Sequence, residues 1–189
     1  VLLYKKFHID KDILSAIQNE VVDHIDQYLI IVDKGKTLFV PCDTNKMKQS
    51  FPALSTYLKS RNLFARWART GFVNLPPNTA LFAHIDNPYI SGRKWTINIP
   101  IKNCENSHTI FYKTSQTILD KKRNNNVHGN LVQKIDFYPE EITEIDRVKT
   151  DSPYYCNVSQ IHGATNPTNS NRLLLSLRFE PDIEDIVYD

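Results

Sequence analysis

Cysteine is scarce in this chain: its 189 residues hold only Cys42, Cys104 and Cys156, widely spaced and without a Cys-x-x-Cys pair. An odd, scattered set of this kind is neither a disulfide framework nor a cysteine-based zinc site, and it suits a reducing compartment. An excess of one charge is missing as well, since Lys plus Arg number 23 against 21 for Asp plus Glu. That balance gives no reason to expect nucleic acid or an anionic membrane as partner. No apolar run is long enough to span a bilayer, no secretory leader pattern is visible, and no internal repeat stands out. These absences predict one cytoplasmic domain, large enough to bury its own core without staples.

What is present changes character along the chain. Residues 10–28 read as a helix, with Asp10 and Asp12 as cap candidates and Ile13, Ile17, Val21 and Ile25 recurring on one face. A second short helix is predicted over 52–60, with Ser50 as its cap and Leu54, Tyr57 and Leu58 as its apolar stripe. Beyond it come short runs rich in β-branched and aromatic residues, among them "TALFAHID", "WTINIPI", "HTIFYK" and "RLLLSLRF", separated by Pro, Asn, Gly and Ser. The stretch "KKRNNNVHGN" (121–130) reads as a loop excursion. Helices first and strands afterwards predict a mainly β fold: a helical support over 1–63, a barrel or jelly-roll core over 64–180, and a tail over 181–189.

Alternation within two strands bears on function. In "RLLLSLRF", Arg172, Leu174, Ser176 and Arg178 share one face and Leu173, Leu175, Leu177 and Phe179 the other. A face with two arginines and a serine points to water or to a polar cavity. In "KWTINIPI", Trp95, Ile97, Ile99 and Ile101 share one face, and Lys94, Thr96, Asn98 and Pro100 the other. Asn98 is read as a plain sheet-face residue, with the same cavity as its alternative, Tyr112 as an aromatic near the barrel mouth, and Arg178 as lining the cavity opposite the metal or snorkelling from the barrel edge.

The chemistry gathers around "HIDNPYISGRKWTINIPI", which opens at His84. His84 and Asp86 are two apart, so on an extended strand they project to the same side as a neutral nitrogen and a carboxylate. Alone the pair is a weak metal signal, because Asp-Asn-Pro also favours a turn. His162, closing a later run, supplies a third ligand. Two histidines and one carboxylate form the facial triad of non-haem Fe(II) sites, which leaves coordination positions open. Arg172, ten positions after His162, offers a guanidinium fork for the remote carboxylate of a dicarboxylic acid.

The order His84-x-Asp86, "NIPI", His162, Arg172 resembles the Fe(II)- and 2-oxoglutarate-dependent oxygenases, whose core is a double-stranded β-helix (a cupin-like jelly roll). Within that superfamily "LPPNTALFAHID" and "HGATNPTNSNR" are most similar to the aspartyl/asparaginyl β-hydroxylase-like branch, over residues 65–180. The resemblance implies His84, Asp86 and His162 as iron ligands and Arg172 as partner of the 2-oxoglutarate side-chain carboxylate. It also implies a basic residue on the strand after the first ligand contacting 2-oxoglutarate: Arg93, with Lys94 as the alternative. It further implies molecular oxygen as co-substrate and hydroxylation of a peptide or small-molecule substrate. Two other readings belong to different classes: a catalytically silent jelly roll binding a carboxylate or a protein partner, and a cupin-like isomerase that needs no 2-oxo acid.

Overall fold

The computed structural model describes residues 1–29, 38–86, 94–125 and 134–188. In chain order the elements begin with β1 (Tyr4–Lys6), α1 (Lys11–Leu29), β2 (Leu38–Cys42), α2 (Thr44–Ser50) and α3 (Pro52–Ser60). Four strands follow: β3 (Trp67–Leu75), β4 (Thr79–Asp86), β5 (Trp95–Lys102) and β6 (His108–Lys113). After α4 (Gln116–Asn125) come β7 (Lys134–Asp136), a single 3-10 turn at Pro139–Glu141, and β8 (Thr143–Lys149). β9 (Tyr154–Asn157), β10 (His162–Asn166), β11 (Arg172–Phe179) and α5 (Glu184–Tyr188) complete the chain.

The strands form two antiparallel sheets, of order β1-β9-β5-β11-β3-β2 and β7-β4-β10-β6-β8. From β3 to β6 and again from β8 to β11, each successive strand lies in the opposite sheet. The first and last strands of this core, β3 and β11, are paired, as are β4 and β10. This winding is the jelly roll expected from the strand spacing.

The six-stranded sheet is the middle of three layers. Its outer face packs on α1 and α3, where Leu173, Leu175, Leu177 and Phe179 of β11 and Ile97 and Ile99 of β5 meet Ile17, Val21, Leu54 and Leu58. Its inner face, carrying the other parity of each strand, looks across a cavity to the five-stranded sheet. The helical stripe of α1 begins one turn later than its spacing predicts: Ile17 and Val21 are fully buried, whereas Ile13 is exposed.

Other expectations are corrected at specific contacts. Ser50 does not cap α3; its Ncap residue is Phe51, which makes no side-chain cap. The α1 carboxylate of Glu20 instead accepts from the Ala53 and Leu54 amides at 2.6 and 3.3 Å, placing negative charge at the helix N-terminus. The first part of 121–130 is the last turn of α4 and not a loop, while 126–130 fall outside the described residues. The N-terminal region adds strands as well as helices, for β1 and β2 are the two edges of the larger sheet. Both edges are short and β2 carries Pro41, which blunts further pairing. Among the described residues no helix is long and apolar enough to cross a membrane.

Candidate active site

β4 and β10 bring two histidines side by side. His84 and His162 are directly opposite in the β4–β10 register, with ring centroids 4.4 Å apart. Immediately beyond them the register slips, so that Ala164 pairs with Leu81. The bulge turns both His84 and Leu81 into the cavity and leaves Phe82 on the outside, 72% exposed. Gly163 makes the close approach possible: a Cβ there would lie 2.8 Å from the Leu81 carbonyl oxygen.

Each imidazole is fixed by its own strand. His84 Nδ1 lies 2.8 Å from the Phe82 carbonyl and His162 Nδ1 2.9 Å from the Gln160 carbonyl. A carbonyl can only accept, so each Nδ1 donates and each Nε2 presents a lone pair. Asp86, one residue past Ile85 on the same face, places Oδ1 3.4 Å from His84 Nε2. One donor atom from each of the three residues lies within 4.8 Å of the others, a group that can hold a metal ion.

The electrostatics keep these donors ready to ligate. Burial opposes ionisation of Asp86, but the Arg178 guanidinium and the two imidazole rings beside it outweigh that and hold the carboxyl well below the usual range. Burial, with the neighbouring His84, pushes His162 down to about 4, so its ring is neutral near pH 7. Arg178 Nη2 donates to Asp86 Oδ2, leaving Oδ1 on the side of the histidines.

Across the cavity, β11 supplies the feature that most needs explanation. The Arg172 side chain is only 1% exposed, yet its Nε, Nη1 and Nη2 have no hydrogen-bond partner among the described residues. A guanidinium cannot escape by losing its proton, and an unpaired buried charge costs several kcal/mol. Its neighbours do not neutralise it. Burial pushes the Tyr154 phenol up to about 12 and raises the Cys104 and Cys156 thiols, so all three stay protonated. The Tyr154 hydroxyl is occupied with Thr109 at 2.7 Å and the Cys104 thiol with the Leu173 carbonyl at 3.1 Å. No described residue neutralises the charge of Arg172, which is therefore set to take an anion at the cavity wall.

The histidines, Asp86 and Arg172 line one cavity of about 840 Å³, a size suited to a small ligand with room beside it. Asn98 and Ser176 face it, so Asn98 is part of this wall and not a neutral sheet-face residue. Arg178 lines the cavity from the sheet opposite the histidines and reaches across to Asp86. Tyr112 is not part of the lining; it packs on the outer face of the smaller sheet with Ala83, Ile85 and Ile135. Lys94 turns away, its Nζ 3.1 Å from a Glu184 carboxylate oxygen and its amide 2.6 Å from Asp182. Arg93 lies outside the described residues. Phe39 and Pro41 of β2 and Asp43 also reach the cavity; the sequence reading missed them, although the Leu38–Cys42 run with its proline has the look of an edge strand.

The donor set and the buried guanidinium fit a divalent metal together with a chelating acid that has a second, remote carboxylate. No family model matches the chain, and no curated protein matches it by sequence. Solved structures do resemble it. HygX from Streptomyces hygroscopicus, with nickel and 2-oxoglutarate bound, superposes with a TM-score of 0.54 at 12% identity, over 93% of this chain and 81% of that one. The non-heme alpha-ketoglutarate-dependent carbocyclase SnoK from nogalamycin biosynthesis gives 0.58 at 10% identity, over 96% and 83%. A prolyl-4-hydroxylase from Pseudomonas putida gives 0.50 at 10% identity, over 93% and 90%. The fold of this chain is the jelly roll that those proteins share.

Proposed function

We propose that the chain is an Fe(II)- and 2-oxoglutarate-dependent oxygenase that hydroxylates an amino-acid side chain or a small metabolite. The observation that carries the reading is Arg172: a buried guanidinium with all three nitrogens unpartnered among the described residues, lining the same cavity as the His84, Asp86 and His162 group. His84 and His162 through Nε2, and Asp86 through Oδ1, would hold the metal on one side and leave the cavity side open. Arg172 would pair with the far carboxylate of the 2-oxo acid, and Arg93 is proposed to contact the same co-substrate.

When bound, the ferrous ion and 2-oxoglutarate supply the activation of oxygen that oxidises a C–H bond. The residues of the chain supply placement. The two carbonyl-anchored imidazoles fix the donor directions. Arg178 holds Asp86 from behind, and Arg172 sets the orientation of a dicarboxylate against the opposite wall. The likeness to a nickel and 2-oxoglutarate complex and to a non-heme alpha-ketoglutarate-dependent carbocyclase supports the pairing of metal and co-substrate. Hydroxylation, as against another oxidative outcome, and a place near the aspartyl/asparaginyl β-hydroxylase-like branch are inferred from the segments 75–86 and 162–172.

Calorimetric titration with Mn(II), then 2-oxoglutarate or pyruvate, followed by assay of oxygen-dependent succinate formation from Fe(II)-loaded protein, tests the proposal. Metal binding, a preference for 2-oxoglutarate and succinate release support it. Preference without succinate release would favour the silent carboxylate-binding jelly roll, and no metal binding would overturn the site.

A further inference from the structure

At the open end of the cavity the larger sheet places two arginines side by side. Arg69 of β3 and Arg178 of β11 are direct cross-strand partners on the inner face. Like charges in that position repel and destabilise an antiparallel pair. The pairing is fixed by a register shift between Arg178 and Phe179, which leaves Phe179 opposite Trp67 and skips Ala68. Bulges at barrel rims commonly re-aim a side chain; this one keeps Trp67 in the outer core while Arg69 lines the cavity.

Only part of this positive charge is balanced from within. Arg178 donates one nitrogen to Asp86, and its Nε is buried without a partner among the described residues. Arg69 is exposed and makes no hydrogen bond or ion pair among the described residues. The other carboxylate lining the cavity among the described residues, Asp43, is engaged in capping α2, accepting from the Asn45 and Lys46 amides at 2.9 and 3.2 Å.

An apolar surface adjoins the pair. The Phe39 ring lies over Gly71, where a Cβ would come within 2.1 Å of it, so the absence of a side chain at 71 lets the ring lie flat on the cavity wall. Phe39 is 46% exposed, and the Arg178 guanidinium carbon is 5.5 Å from its ring centroid, within cation–π range. A large apolar ring left open beside two guanidiniums, and next to a metal-ligand group, is a surface for an amphiphilic ligand.

We propose that Arg69 and Arg178 form an oxyanion subsite for the substrate, whose apolar body rests on Phe39. The substrate class is therefore a small molecule or side chain bearing a carboxylate or phosphate beside a hydrophobic portion. That anion is separate from the one taken by Arg172, which is buried deeper on the same strand. The proposal rests on the oxygenase reading only in calling the occupant a substrate.

Binding of 3-phenylpropanoate, phenyl phosphate and the neutral 3-phenylpropanamide to the full chain loaded with Mn(II) and saturating 2-oxoglutarate tests it, read by calorimetry or ligand-observed NMR. At least one of the two anions should bind about tenfold more tightly than the amide, and the tighter of the two names the oxyanion. Arg69→Gln should remove that preference while Mn(II) and 2-oxoglutarate affinities stay unchanged. Phe39→Ala should weaken acid and amide alike. Equal binding of anion and amide, no anion binding at millimolar concentration, or a preference that survives Arg69→Gln would overturn the subsite. If 2-oxoglutarate itself fails to bind while the Arg69-dependent preference persists, the oxygenase reading falls and the anion subsite stands.

Discussion

The Nδ1 atoms of His84 and His162 both donate to carbonyls two residues back on their own strands, Phe82 and Gln160, at 2.8 and 2.9 Å. Two strands thus use the same local device to point two Nε2 atoms at one spot. Neither ring can flip without giving up its hydrogen bond to that carbonyl, which holds the donor pair in place before any metal arrives.

Metal affinity should follow this pair. The purified protein is expected to bind one Mn(II), Fe(II), Co(II) or Ni(II), since such sites accept several first-row ions. His162→Ala should abolish binding and His108→Ala should leave it intact, as His108 lies at the far end of β6, where it pairs with Lys149. Calorimetric titration of both variants checks this, and equal loss in the two would refute the assignment.

Arg172 should behave in opposite ways toward ligand and toward stability. Arg172→Met should erase the preference for 2-oxoglutarate over pyruvate, at roughly 2–5 kcal/mol if the pair is buried. The same change removes an unpaired buried charge, so the ligand-free variant should melt at a higher temperature than the parent, by about 1–4 kcal/mol in stability. Thermal melts and binding isotherms on one preparation decide both halves.

Acid should loosen the metal-free fold in a defined window. His162 has its folded-state value lowered from 6.5 to about 4, so between those limits the unfolded chain binds more protons than the folded one. Stability from this residue is therefore full above about pH 6.5 and is lost as the pH falls toward 4, a change of about 3 kcal/mol. Urea unfolding at pH 7, 5.5 and 4 should show it, and His162→Gln should flatten the slope across that interval.

Gly163 should tolerate no side chain. Its added Cβ would meet a backbone oxygen, that of Leu81, and not a movable side-chain tip. Gly163→Ala is expected to cost about 1–3 kcal/mol and to reduce Mn(II) affinity, because the β4–β10 pairing beside His84 must open. Unchanged metal affinity in a folded Gly163→Ala protein would show that the bulge is not needed for the site.

The parts of the site that were legible in the sequence are those set by short-range geometry. His-x-Asp on a strand, the alternation of β11 and the length of α3 follow from period and propensity, and the structure has each of them. What stayed illegible depends on contacts distant in sequence. The Glu20 cap of α3 spans 33 residues, the Arg178–Asp86 contact spans 92, and both need the folded chain to be seen. Asn98 stays ambiguous in the sequence because the pattern of "INIPI" gives parity without saying which parity faces the cavity. Only the pairing of Asn98 with Ser176 decides that.

β11 sits between two layers, with its odd-numbered residues in the helix-covered core and its even-numbered ones on the cavity wall. A saturation-mutagenesis scan along this strand should therefore sort phenotypes by the parity of the residue number. Changes at 173, 175 and 177 should lower soluble yield whatever ligand is supplied. Those at 172, 176 and 178 should leave yield nearly untouched and alter what the protein recognises. The two kinds of selection act on interleaved positions of one segment, so its ligand preference can drift over evolutionary time without disturbing the sheet that carries it.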